Sequence, residues 1–238
     1  MKDIKGKIIS VLCAIVFLVG LWFVIQPHIR NHTLHTIVEQ TNQAIAQDLT
    51  PEKIEENKKA DATYDYEDVR PVTYEEVMAA QQNPQDVYSI GEIVVPSVGI
   101  HLNIGAGTSN YTMMVGAGTL NPNTEFGKGN VVLASHFMGD YSDLLFSPLK
   151  RVSIGDDIYL SDMQHVYHYK ITDYKVVSPD HTEVVKQTTE PTITLITCDD
   201  IYAVNRVVVK GRLVTTYDAK SVPSNVAQSF TIAKLTGW

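Results

Sequence analysis

The chain has 238 residues, 44% of them hydrophobic and 19% charged, with a formal net charge of −8. That is enough for one or two domains with a packed core, and it excludes wholesale disorder or a low-complexity polymer. The acidic balance argues against nucleic acid as a partner, because binders of the phosphate backbone carry a basic face, and the two cysteines cannot by themselves build a disulfide scaffold or a tetrahedral zinc site.

In chain order, the first element is Ile8–Ile25, IISVLCAIVFLVGLWFVI, which carries no charge. Eighteen residues at ~1.5 Å each span about 27 Å, close to the ~30 Å of bilayer hydrocarbon. Lys2, Lys5 and Lys7 precede the run, with Asp3 as the single acid. The positive-inside rule then predicts a cytoplasmic tail at 1–7, a single-pass anchor at 8–25 with Trp22 at an interface, and an extracellular remainder. A cleaved signal peptide is the alternative. The apolar run is long for one, and the following QPHIRNH offers no small-x-small cleavage site. The anchor separates Cys13 from Cys198, so the exported part holds one thiol. A lone thiol outside the cell is either deeply buried or retained for chemistry, and its position alone leaves both open.

Residues 26–88 read as a helical stalk. Leu34, Ile37, Val38, Ile45 and Leu49 fall near helical spacing and predict an amphipathic helix over 33–49. Thr50-Pro51 has the form of a cap and first turn for a second helix. Thr73-Tyr74-Glu75-Glu76 is a capping-box pattern opening a short helix over YEEVMAAQQ. Between Pro51 and Ile90 ten acids face four bases, the texture of a solvated spacer holding a domain off the membrane. A flap regulating that domain is the alternative.

From Ile90 short β-rich runs alternate with turn signals: IGEIVVPSVGIHLNI, NVVLAS, DDIYL, HVYHYKITDYKVV, TITLIT and NRVVVKGRLVTT. Strands at such spacing, with no long helical pattern between them, predict an all-β barrel or sandwich. Pro96 and Gly99 inside the first run point to an edge or a bulge. After Tyr217 the tail has no second apolar span and no evident role.

Three reactive residues sit at strand ends. Cys198 closes TITLITC, His136 closes VVLAS-H, and Arg206 opens RVVVKG. A thiolate is the working nucleophile, and a free thiol with a pKa of ~8.5 needs help near neutral pH. An imidazolium supplies that help and later donates a proton to the leaving group. A guanidinium offers permanent charge and fixed donors for an oxyanion. The plainer readings are an inert strand cysteine, a structural histidine, and an arginine paired with Asp199 or Asp200.

The local strings go further. TLITC with Arg eight residues on, then VVVKGRL, resembles the active-site region of sortases, class A in particular. So, in the same order, do IVVPSVGIHLNI, GAGT, GNVVLASHFMG, LFSPLKRVSIGDDIYL and HVYHYKITDYKVVSP. The resemblance covers about 89–215. It implies a closed eight-stranded sortase-type β-barrel with short helices at 89–216, preceded by the anchor and stalk and followed by an extension at 217–238. It also implies a membrane-anchored transpeptidase of Gram-positive bacteria. Such an enzyme cleaves an LPxTG-type motif of surface proteins between Thr and Gly, holds the Thr as a thioester, and passes it to an amine of the peptidoglycan precursor or cross-bridge.

In family terms Cys198 is the nucleophile, His136 the acid and base, and Arg206 the substrate and oxyanion clamp. Thr197 helps orient substrate and form the oxyanion hole, and Ala134, Ile196, Val184 and Val185 line the pocket for Leu-Pro. Ala134 and Ile196 each lie two residues before a catalytic residue, so strand alternation puts them on its face. Val184 and Val185 also read as barrel core.

Some class A sortases bind calcium through acids in two loops. Here TLNPNTEFGKGN holds only Glu125, offset by Lys128, so the expectation is no metal and no cofactor. Pro84, in NPQD, does not form the aromatic Asp-Pro lid of class C. Ser135 stands where many relatives have Gly. Two competing readings remain: a thiol hydrolase or peptidoglycan L,D-transpeptidase, and a non-catalytic β-module with an inert Cys198.

Overall fold

The computed structural model describes residues 2–65, 72–73, 75–77, 79, 87–140, 142–228 and 230. Eight strands close into a barrel: β1 Ser89–Val95, β2 Ile100–Gly105, β3 Ala117–Thr119, β4 Asn130–Ala134, β5 Asp157–Ser161, β6 His165–Val177, β7 Thr192–Cys198 and β8 Arg206–Asp218. Their order around the barrel is β1-β2-β3-β4-β7-β8-β6-β5. Neighbours run antiparallel except β2–β3 and β4–β7, which are parallel. Inward-facing Ile93, Leu133, Ile158, Leu160, Ile193 and Leu195 are fully buried. At about 1.5–3 kcal/mol for each such side chain, this interior is the main force holding the barrel closed.

Pro96 and Gly99 mark neither an edge nor a bulge. Pro96–Val98 form a single 3-10 turn and Gly99 takes φ 71°, which turns β1 directly into β2. Proline pre-sets the φ of such a turn, and glycine tolerates the left-handed residue that ends it. β3 is only three residues long. The two Gly-Ala-Gly-Thr strings, 105–108 and 116–119, lie side by side where β2 meets β3, with Gly105 opposite Gly118. A Cβ on Gly118 would collide with the carbonyl of Gly107, so close approach of backbone is the reason for glycine there.

The amino-terminal part differs from the two-helix expectation. α1 runs unbroken from Lys2 to Gln47, joining the apolar run and the expected 33–49 helix in one element. Its described side chains at 10–26 are exposed throughout. Among the described residues, no helix is long and apolar enough to cross a membrane. α2, Pro51–Asn57, starts as the sequence predicts, with the Thr50 hydroxyl accepting from Lys53 N at 3.2 Å and Pro51 in the first turn. The capping box at Thr73 also forms: Thr73 N donates to Glu76 Oε2 (2.8 Å) and Glu76 N to Thr73 Oγ1 (3.2 Å). Residues 74, 78 and 80–82 of that stretch and all of NPQD lie outside the described residues.

The stalk is docked, so the solvated-spacer reading does not hold for 38–63. Val38, Leu49 and Ile54 join the barrel's apolar cluster. Asn42 Oδ1 accepts from Asn103 N and its Nδ2 donates to Val115 O, both at 2.6 Å. Asn57 Nδ2 donates to Ser89 O (2.8 Å), and Thr108 N donates to Thr63 O (2.8 Å). The acids of this segment face water while its few apolar residues face the barrel. α3, Asn110–Val115, links β2 to β3. At the other end β8 continues two residues past the expected boundary of 216. Beyond it Ala219, Val226 (in α4, Ser224–Ala227) and Phe230 are buried against the barrel. Phe230 meets Tyr159 edge-on, with ring centroids 6.4 Å apart.

Candidate active site

β7 sits between β4 and β8, and its register decides which residues meet. Across β4–β7, Ala134 lies opposite Ile196. Ser135 N extends the ladder to Ile196 O at 3.2 Å. His136 and Cys198 thus each follow that pair by two residues at the same end of adjacent strands. Across β7–β8, Cys198 lies directly opposite Arg206. Directly opposed residues share a face, with Cβ atoms about 4.5–5.5 Å apart. Ala134, Ile196, Cys198 and Arg206 are all half-buried on the outer face of this sheet, while Leu133, Leu195 and Val207 point into the core. His136 is only 4% exposed.

Burial pushes the Cys198 thiol above its ordinary value. The Arg206 guanidinium pulls it down, and the Asp200 carboxylate adds to the rise. Burial and Asp200 therefore favour the protonated thiol, and ionising it depends on cationic neighbours. Arg206 pairs with neither Asp199 nor Asp200. Its Nη1 donates to the carbonyls of Ala203 (2.7 Å) and Asn205 (3.1 Å), which fixes the start of the guanidinium's fork on the β7–β8 loop. Asp200 Oδ1 holds that loop by accepting from Tyr202 N (2.8 Å). Asp199 is taken by Lys150 (3.3 Å).

Thr197 lies on the opposite face of β7 from Cys198, as alternation requires. It is 3% exposed, and its hydroxyl donates to Ser135 O at 2.9 Å. Its side chain steadies the segment that leads into His136 and does not reach the outer face. Val184 and Val185 occupy a 3-10 turn, Thr182–Val185, and are half-buried. Asn130 Nδ2 holds this turn through Val184 O (3.2 Å) and Lys186 O (3.0 Å). The turn thus stands at the start of β4, whereas the reactive end follows Ala134. Four residues at ~3.3 Å make about 13 Å between them, so the two valines border the outer face at a distance from the chemistry.

A cleft of about 450 Å³ lies elsewhere, between α1 and the β1–β2 hairpin, lined by Asn42, Glu92, His101 and Phe230 among others. None of the predicted site residues lines it. It is the seam where the stalk docks.

A sortase-domain model matches residues 93–214, the span of the barrel. The chain belongs to the sortase family. Sortase A of Streptococcus agalactiae is 34% identical over 224 residues, covering 92% of this chain and 90% of that protein. Sortase A of Listeria monocytogenes is 34% identical over 190 residues, covering 78% and 82%. The solved structure of Listeria monocytogenes sortase A superposes with a TM-score of 0.55 at 33% identity, over 60% of this chain and 96% of that one. Sortase C-3 of Streptococcus pneumoniae gives 0.59 at 19% identity, over 82% and 99%, a likeness of fold. This sortase is accordingly a cysteine transpeptidase of the class that anchors surface proteins to the cell wall.

Around the site of this sortase, sequence reasoning noted Ser135 without a role and missed Asn130. Ser135 donates its hydroxyl to Gly116 O at 2.6 Å, a tie that glycine could not make. Asn130, 4% exposed, accepts from Thr194 Oγ1 (2.8 Å) while holding the valine turn. An asparagine opening an apolar strand, with threonines on the neighbouring strand, was the available signal.

Proposed function

We propose that this sortase cleaves an LPxTG-type sorting motif between Thr and Gly with Cys198 as nucleophile, and transfers the acyl group to a peptidoglycan amine. The observation that carries the reading is the register of β7. It sets Cys198 opposite Arg206 on one side and beside the strand end leading to His136 on the other.

The Cys198 thiolate attacks the Thr carbonyl carbon. A C–S bond forms and the carbonyl electron pair moves to oxygen, where Arg206 compensates the charge. Collapse breaks the C–N bond. The departing Gly nitrogen takes a proton from the His136 imidazolium, leaving a thioester and neutral His136. An incoming amine attacks the thioester and gives its proton to His136, and the thiolate leaves with its electron pair. Ala134 and Ile196 put apolar groups beside the sulfur, which disfavours water as the competing acceptor. Val184 and Val185 border the part of the groove that would take Leu-Pro. Thr197 orients the site through Ser135.

The reading includes a single-pass anchor at 8–25 with the barrel outside the cell. It is supported by the apolar composition of that run and by the exposure of its described side chains on every face of α1, a pattern that requires an apolar surrounding. It includes no calcium, because the one carboxylate of the β3–β4 loop, Glu125, is bound by Lys128 at 2.6 Å.

Cys198→Ala is expected to abolish cleavage of an LPxTG peptide and thioester trapping while the thermal transition stays in place. Mass spectrometry with and without an added amine is expected to show amide product formed only in its presence. Wild-type cleavage by the alanine variant, or hydrolysis unaffected by amine, would overturn the assignment.

A further inference from the structure

Lys150 is not among the residues that the site's chemistry uses, yet its ammonium touches the residue that follows each of two of them. It lies in the 3-10 turn Ser147–Arg151. Its Nζ donates to the carbonyl of Asp199 at 2.7 Å, with the Asp199 carboxylate at 3.3 Å. Asp199 directly follows Cys198. The same Nζ lies 5.2 Å from the ring centroid of Phe137, within cation–π range. Phe137 directly follows His136 and is buried. A third contact, to Asp140 Oδ1 at 2.6 Å, holds the loop that continues from Phe137.

The arrangement has a mechanical meaning. The β4–β7 ladder ends at Ser135, so beyond it no backbone bond among the described residues fixes the distance between the two chains that carry His136 and Cys198. Lys150 spans that gap with three contacts of different kinds. Its side chain is partly buried, where such contacts are less screened than at an open surface. The carboxylate of Asp140 holds the ammonium above its ordinary pKa, with Asp199 adding to the effect, so it stays charged throughout the working range.

We infer that Lys150 is a positioning residue, a single cationic clip that holds the His136 and Cys198 chain ends at the separation proton transfer to the leaving amine requires. The inference rests on the nucleophile and acid roles proposed above. It predicts a loss confined to the step that uses both residues, since a misplacement of ~1 Å can cost on the order of 10²-fold.

The experiment compares wild type, Lys150→Met, Lys150→Arg and Cys198→Ala. Acylation by an LPxTG peptide is measured in single-turnover mode, and alkylation of Cys198 by iodoacetamide is measured beside it. Both are corrected for the folded fraction from thermal unfolding. Alkylation needs the Cys198 thiolate but no proton for a leaving amine, whereas acylation needs both the thiolate and the imidazolium that donates that proton. K150M is expected to lose about 10–100-fold in acylation rate, with alkylation and the KM for peptide within about threefold of wild type. K150R, which keeps the charge but not the compact head, is expected to recover part of the loss. Acylation by K150M within threefold of wild type overturns the clip. So does a parallel fall of acylation and alkylation, or an arginine variant no better than methionine. Continued cleavage by C198A is a separate outcome, and it sinks the nucleophile assignment instead.

Discussion

Cys198 illustrates how opposing fields settle a reactive group. Burial and Asp200 favour the thiol, and Arg206 favours the thiolate. Asp200→Asn removes one of the effects holding the proton on, and its amide oxygen can still accept from Tyr202 N. Arg206→Met removes the effect pulling the proton off. The midpoints of iodoacetamide alkylation against pH are therefore expected in the order D200N, wild type, R206M, from low to high. Any other order contradicts the assignment of these charges to the site. R206M is also expected to lose about 10²–10³-fold in kcat, the usual cost of removing one oxyanion donor. At this scale the placement of Cys198, His136 and Arg206 at neighbouring strand ends was legible in the sequence. Thr197 was expected to help orient substrate and form the oxyanion hole, whereas its side chain is buried on the other face of β7 and bonds Ser135 O. The roles of Lys150 and Ser135 were not legible, because their partners, which are backbone carbonyls, carboxylates and a ring, come from other parts of the chain and leave no local pattern.

Among the elements, the long strands declared themselves. HVYHYKITDYKVV is β6 from end to end, and TITLITC is β7, because β-branched and aromatic residues at such density have little other use. β3 could not be read. Its three residues, Ala-Gly-Thr, have no side-chain pattern, and only the close packing of two glycine-rich strings makes them a strand. The stalk misled for a related reason. Its acidic surface dominates the composition, while the docking rests on a few residues, Asn42 above all. Asn42→Ala strips partners from Asn103 N and Val115 O and is expected to cost about 1–3 kcal/mol. In a chain of this size that lowers Tm by roughly 2–4 °C per kcal/mol. Thermal denaturation in detergent checks it, and an unchanged transition means the stalk contributes nothing to the fold.

For the whole molecule, composition and charge pointed to an anchored, exported domain, but barrel closure is a property of strand order that no local window contains. The proposed anchor predicts that the full chain sediments with membranes and is released by detergent and not by salt. Removal of 1–25 should transfer it to the soluble fraction with its thermal transition preserved, since the docked part of α1 begins at Val38. Sedimentation of the truncated form with membranes counts against the anchor.

The parallel pairing of β4 with β7 has a further result. The tie between Ser135 and Thr197 spans 62 positions, and β5 and β6 lie in the chain between them. Such non-local closures come late and slowly. Until that crossover is laid down, sulfur and imidazole ride on separate stretches of polypeptide, so the proposed site exists only in the closed barrel.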